Sequence, residues 1–166
     1  MTRDSRAWAI DAGDGRVRWQ LAATPDVSGV VGGAGPAVDG RIAVFPFGSG
    51  EMVGALRKGG LRTWTGSVAG ARLGRAYVNV TDITGDPVLR GDVVYAGNAS
   101  GRTVALDAVT GQPNWTAKDG ATGPVWVDGR AVFLVSDQNE LVRLKASDGE
   151  RVWGIQLPGV VPTRNK

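Results

Sequence analysis

Apolar and polar residues alternate in short runs along most of this chain, and each run ends in a cluster of Gly, Asp, Asn or Ser. Arg41–Phe47, Met52–Arg57 and Leu61–Val68 show the pattern, divided by Gly48-Ser49-Gly50 and Lys58-Gly59-Gly60 and preceded by Asp39-Gly40. A period of two predicts half-buried β-strands, and Asp-Gly between apolar runs predicts tight hairpins. Helical solenoids are excluded because the 3.6-residue period is absent.

One stretch recurs. Ala105-Leu-Asp-Ala-Val-Thr-Gly-Gln-Pro-Asn-Trp115 ends one strand, passes through a turn composition and reaches a tryptophan in the return strand. The same hairpin is found at Ala9–Trp19, with Asp11 and Asp14-Gly15, at Lys145–Trp153 with Asp148-Gly149, and at Leu56–Trp64 with Gly59-Gly60. A glycine (Gly15, Gly60, Gly111, Gly149) stands four residues before each of Trp19, Trp64, Trp115 and Trp153. Gly40, Gly91 and Gly129 lie 24 residues before the last three tryptophans, so three segments align without a gap. This is an internal repeat, and it decides the architecture.

Each full unit has four short strands. The expected divisions are a half unit over 1–24, full units over 25–68, 69–119 and 120–157, and a tail over 158–166. The predicted strands of the third segment are Pro87–Leu89, Asp92–Ala96, Arg102–Leu106 and Gln112–Ala117; those of the fourth are Val125–Val127, Arg130–Val135, Glu140–Leu144 and Glu150–Leu157. Four-stranded meanders at this interval predict an all-β propeller of three complete blades plus half a blade. One blade cannot cover both faces of its own sheet, so the repeated indole is expected to bridge adjacent sheets, burying about 200 Å². Propellers close with about 4–8 blades. The count therefore suggests either a segment of a larger propeller or closure by self-association, because open sheet edges and faces invite pairing.

Composition narrows the chemistry. With 42% hydrophobic and 21% charged residues the chain is globular, and 26 glycines suit many tight turns. Cysteine and histidine are both absent, which removes disulfides, thiolate nucleophiles and the commonest general base and metal ligand. The net charge of +3 comes from arginines scattered over the repeats. Arg72, Arg75 and Arg90 are read as a solvated face rather than a nucleic-acid site. No apolar stretch has the length of a membrane span, and Met1–Arg6 leads into repeat sequence without an export signal or a lipidatable cysteine.

Other candidate sites reduce to local structure. Asp82, Asp86 and Asn98 have oxygen ligands suited to calcium, but in glycine-rich loops they are read as turn formers. Gly29–Gly35 and Gly48-Ser-Gly50 resemble phosphate loops without the helix or the Lys that such loops require. The sequons at Asn79, Asn98 and Asn114 are read as incidental. Trp8 and Trp126 fall outside the anchor position; inward packing and an exposed partner hot spot are both open for them.

The pattern Ala105-x-Asp107-x-x-Thr110-Gly111-x-x-x-Trp115 resembles the tryptophan-docking motif of pyrroloquinoline-quinone-type propeller repeats. Ala9–Trp19 departs from it by Asp14 in place of Thr, and the other copies carry Arg143 and Lys145, or Gly54 and Leu56, at its first and third positions. Val80–Val88, Val94–Asp107, Gly123-Pro-Val-Trp126 and Phe133–Asn139 resemble the B-subunit (BamB-type) family of the outer-membrane β-barrel assembly machinery, in its alphaproteobacterial form. That family's propeller has eight blades, about twice what this chain supplies. The resemblance implies a non-enzymatic scaffold without a cofactor, periplasmic and tied to the outer membrane through a lipid anchor, that binds periplasmic domains of the barrel-inserting subunit. It also implies a docking surface on loops entering two neighbouring blades. Asp82 matches the first acidic position of one loop and Thr84 occupies the second; Val30 matches the apolar position of the other loop and Val31 replaces its basic residue. Quinone-dependent dehydrogenases and ligand-sensing propellers share the fold and are the rival functions.

Overall fold

Four antiparallel sheets follow one another along the chain in the computed structural model, which describes residues 5–23, 33–68 and 83–159. The first sheet pairs β1 (Arg6–Ile10) with β2 (Val17–Ala22). The second orders β3 (Ala37–Val38), β4 (Ile42–Pro46), β5 (Glu51–Leu56) and β6 (Arg62–Ser67), with a short 3₁₀ turn at Gly48–Gly50. The third contains β7 (Val88–Arg90), β8 (Val93–Asn98), β9 (Arg102–Asp107) and β10 (Pro113–Ala117). The fourth contains β11 (Trp126–Asp128), β12 (Ala131–Val135), β13 (Glu140–Lys145) and β14 (Arg151–Gln156). Every sheet is a simple meander. The expected fold, three four-stranded blades and half of another in a propeller-type array, is therefore met.

Two-sided burial sets the strand composition. In β5 and β9 the four central residues are all buried, so period-2 alternation gives way to near-continuous apolar runs, Met52-Val-Gly-Ala55 and Thr103-Val-Ala-Leu106. This happens because the sheets stack face to face in chain order. Ala43, Phe45, Val53 and Ala55 of the second sheet pack on Ala7, Leu21 and Trp19 of the first. The opposite face of the second sheet, with Val44, Met52 and Trp64, packs on Val94, Val104 and Leu106 of the third. Tyr95, Ala105 and Trp115 then pack on Val132, Leu134, Val142 and Leu144 of the fourth. The short strands β3, β7 and β11 lie beside one another at the inner edge of the stack.

The junctions share one geometry. The indole N–H of Trp19 donates to the Arg57 carbonyl at 3.0 Å, that of Trp64 to Ala108 at 2.8 Å, and that of Trp115 to Ala146 at 2.9 Å. Each accepting carbonyl stands in the outer hairpin turn of the following sheet. In that turn a glycine has φ between +68° and +73° (Gly60, Gly111, Gly149), and a Cβ there would come within 2.4–2.6 Å of the incoming indole carbons. Glycine is required twice over, for the left-handed backbone and for the indole's approach.

The same backbone builds all four outer turns. The N–H groups of Gly15, Gly60, Gly111 and Gly149 donate to the carbonyls of Asp11, Leu56, Asp107 and Lys145, at 2.8–3.0 Å. The N–H groups of those same four residues donate back across the turn to Arg16, Leu61, Gln112 and Glu150. The strand register shifts beside each turn, at Ala9/Ile10, Gly54/Ala55, Pro113/Trp115 and Arg143/Leu144. A bulge at this place is what a glycine-closed turn produces. Side chains decorate this frame differently in each copy. Asp107 Oδ1 accepts from the N–H of Val109 and from both the N–H and the hydroxyl of Thr110, at 2.7–2.9 Å, whereas Asp11 accepts from Gly13 N–H and the Arg18 guanidinium, and Lys145 pairs with Glu150.

Candidate functional site

At the end of the stack where β8 and β9 meet, three segments converge: 83–86 leading into the third sheet, the 97–101 hairpin turn, and 118–122 leading towards the fourth. Asn98 organises them. Its side chain is fully buried; Nδ2 donates to the Val68 carbonyl at 3.1 Å, and Oδ1 accepts from Arg102 N–H at 2.9 Å. One residue thus closes its own hairpin and holds the exit of β6.

The 118–122 segment is tied down from four directions. Thr103 Oγ1 donates to the Asp119 carbonyl at 2.7 Å, and Ala121 N–H donates to the Asn98 carbonyl at 3.0 Å. Arg151 reaches in from β14, donating to Asp119 Oδ1 at 2.8 Å and to Glu140 Oε2 at 3.0 Å. That fork holds the Arg151 pKa above its usual value, through the Glu140 hydrogen bond first and the Asp119 charge next. The fourth tie is Thr84, whose hydroxyl donates to the Ala121 carbonyl. Gly120 and Gly85 permit the crowding, since a Cβ would meet Asn98 O at 2.6 Å in one case and the Gly123 backbone at 2.1 Å in the other. Asp86, exposed on the same rim, accepts from Gly35 N–H and so links the segments entering the second and third sheets.

Of the four residues expected to meet a partner, Thr84 is therefore built into this rim, its backbone bound to Gly97 O at 3.3 Å. Asp82, Val30 and Val31 lie outside the described residues. Ile83, the next residue in sequence after Asp82, pairs with Asn98 in an isolated β-bridge. Among the described residues no group of three or more acidic side chains is gathered for a metal. Asn98 and Asp86 both engage backbone groups, in keeping with their reading as loop formers. Burial also removes Asn98 as a glycosylation acceptor. Trp19, Trp64 and Trp115 occupy junctions, whereas Trp153 lies on the outward face of the fourth sheet against Phe133, with ring centroids 6.0 Å apart. Trp8 and Trp126 are exposed, at 38% and 68%.

Residues 1–155 match the family profile described as outer membrane protein assembly factor BamB. The chain belongs to that family. Among curated relatives, BamB of Yersinia pestis is 25% identical over 152 residues, covering 92% of this chain and 39% of its own length. BamB of Xanthomonas campestris pv. campestris is 30% identical over 128 residues, covering 74% of this chain and 30% of its own. The chain thus spans between three tenths and two fifths of the length of these relatives. The crystal structure of BamB from Moraxella catarrhalis superposes with a TM-score of 0.80 at 24% identity, over 93% of this chain and 47% of that one. A quinohemoprotein alcohol dehydrogenase from Pseudomonas putida also superposes, with a TM-score of 0.68 at 18% identity over 92% of this chain. The dehydrogenase likeness is one of fold alone.

Sequence reasoning missed the work of Asn98, Thr103, Gly120 and Arg151. Only Asn98 carried a signal, as a polar residue ending an apolar strand before a glycine-rich turn. The others become visible only when the neighbouring sheet is in place.

Proposed function

We propose that this chain is a non-enzymatic protein-interaction scaffold in outer-membrane β-barrel protein assembly, and that it holds periplasmic domains of the barrel-inserting subunit. The observation that carries this reading is the family match over residues 1–155. The rim geometry supports it in kind. A loop surface pinned by Asn98, Thr103, Arg151 and Thr84 is pre-organised, so little ordering entropy opposes a partner that docks there. The chain works at the periplasmic face of the outer membrane, reaching the membrane through its partners or through an anchor supplied by the parent protein. Asp82 supplies the acidic contact, and Thr84 holds its loop in register through Ala121.

Capture of this chain by purified periplasmic domains of a barrel-inserting subunit tests the reading. Binding by the unaltered chain, weakened by Asp82→Arg, is the expected result. Absence of capture removes the scaffold role; capture that Asp82→Arg leaves unchanged removes the site while leaving the role.

A further inference from the structure

Two residues beyond each turn glycine the chain enters the outermost strand of its sheet. Val17, Arg62, Pro113 and Arg151 hold this place, opposite Ile10, Ala55, Leu106 and Leu144. At two of the three junctions the residue here is an arginine that reaches back to the preceding sheet. Arg62 donates from Nη2 to the Ala22 carbonyl at the end of β2. Arg151 runs over Gly154, where a Cβ would collide with its Nη2, and donates to Asp119 just after β10 and to Glu140 at the start of β13.

Pro113 breaks this series at the middle junction. It has no donor and no side chain long enough to cross, and a groove of about 320 Å³ lies there between the second and third sheets. Gly66 and Ser67 of β6, Arg102 and Leu106 of β9, and Pro113 and Thr116 of β10 line it. Thr116 stands in the place of Gly154, directly after the tryptophan, and Ser67 in the place of Ala22. The charge is inverted as well. β5, β9 and β13 begin with Glu51, Arg102 and Glu140, each 13 residues before its tryptophan. Where the fourth sheet sets Glu140 against Arg151, the third sets Arg102 beside Pro113. Among the described residues that line the groove, Arg102 is the one charged side chain.

We propose that this groove takes an acidic side chain from a protein partner, a glutamate whose carboxylate meets Arg102 and whose apolar neighbours lie on Leu106. Three observations argue for this occupant. The adjoining junctions are each bridged by one long charged side chain; here the sign is reversed, so the complement is a carboxylate, which a guanidinium fork binds through two parallel N–H bonds. Arg102 has an interaction within the chain as well, and its fork of donors leaves room for a carboxylate beside it. The volume lies at the foot of the range for small-ligand sites, enough for a side chain and its neighbours but short of a cofactor. Pro113 lacks the N–H that an added strand would need, so entry is by a side chain rather than by extension of the sheet. The inference does not depend on the partner named above, and its failure leaves the scaffold reading intact.

An NMR titration of the 166-residue chain provides the test. The probe is the end-capped peptide Ser-Leu-Glu-Leu-Ser, with Ser-Leu-Gln-Leu-Ser and acetate as controls. The glutamate peptide should give saturable shifts at the amides of Gly66 and Thr116 and at the Arg102 side chain, with a Kd of about 1 mM or tighter, and should bind at least ~tenfold better than either control. Arg102→Gln weakens it at least ~tenfold, and so does Pro113→Arg, which supplies the missing arginine at an exposed position. Arg102→Glu combined with Pro113→Arg recreates the pairing of Glu140 with Arg151; this double variant should melt above either single one and bind no peptide. The proposal is overturned by the absence of saturable shifts at the groove, by equal binding of the two peptides, or by either single variant leaving binding unchanged. Acetate that binds as well as the glutamate peptide overturns it too, since the groove would then hold a small anion and not a protein segment.

Discussion

The indole N–H of Trp64 donates to the carbonyl of Ala108, 44 residues further along the chain, while its ring occupies the space a side chain on Gly111 would need. A polar bond and a steric fit are made by the same residue at the same place. Trp64→Phe keeps most of the apolar ring but leaves a buried carbonyl without its donor, an expected loss of about 1–3 kcal/mol. Trp64→Ala adds a cavity and should cost about 3–5 kcal/mol. Urea denaturation at unchanged m-value measures both.

Gly111 and Gly91 both have positive φ, +72° and +56°, but only Gly111 faces an indole, with Trp64 carbons 2.5 Å from the place of a Cβ. Gly91→Ala should cost only the left-handed backbone term, about 1–2 kcal/mol. Gly111→Ala must in addition push the ring away, so its loss should exceed that of Gly91→Ala by at least about 1 kcal/mol. Equal losses measured by thermal or urea unfolding would show that the indole moves aside freely.

Gly54 lies directly beneath Trp64 in the adjacent strand, where a Cβ would meet the indole at 2.1 Å. The corresponding residue in the third sheet is Ala105, which packs beside Trp115. Gly54→Ala is therefore expected to lift Trp64 out of its junction even though Ala is the motif residue at this position. A red-shifted indole emission together with destabilisation of about 1–3 kcal/mol checks this.

The Asp107 carboxyl is held below its ordinary value of 3.8, first by the backbone N–H of Thr110, then by the Thr110 hydroxyl and the N–H of Val109. Its folded pKa lies below its unfolded one, so the stability it contributes is present above the unfolded value and is lost as pH falls through the folded one. Asp11, Asp39 and Asp148 shift in the same direction. The melting temperature should hold from neutral pH towards the ordinary carboxylate value of 3.8 and fall below it. Asp107→Asn should shallow that acid limb while keeping a neutral acceptor in the turn. An unchanged limb in the variant would remove Asp107 as a contributor.

Asn98→Ala deletes the bonds to the Val68 carbonyl and the Arg102 N–H inside a fully buried site. The expected loss is about 2–3 kcal/mol. Hydrogen exchange should also accelerate at Ala121, whose N–H is bound to the Asn98 carbonyl at 3.0 Å.

Most of the stack was legible because its signals are local. Alternation reveals strands, and a glycine four residues before a tryptophan marks a turn of fixed backbone. Trp8 and Trp126 resisted reading because alternation says only that two faces exist; which face is covered depends on the next sheet. Gly54 and Leu56 look like decay of a motif, yet Gly54 answers to the ring above it, and the turn at Leu56 closes through Gly60 N–H and the Leu61 carbonyl without a carboxylate. The rim was the least legible part. Thr84, Asn98 and Arg151 act on carbonyls and carboxylates far away in sequence, at separations of 37, 30 and 32 residues, and no spacing rule encodes those pairs.

The outer turns are closed by main-chain groups, and in the loaded ones the acceptor offered to the incoming indole is a main-chain carbonyl. Apart from the glycine, the letters of each hairpin are thus released from the task of holding the circle together. Such a hairpin can drift through Asp-Arg, Asp-Thr or Lys-Glu pairings and change the charge worn on the rim of the disc while its seams stay shut.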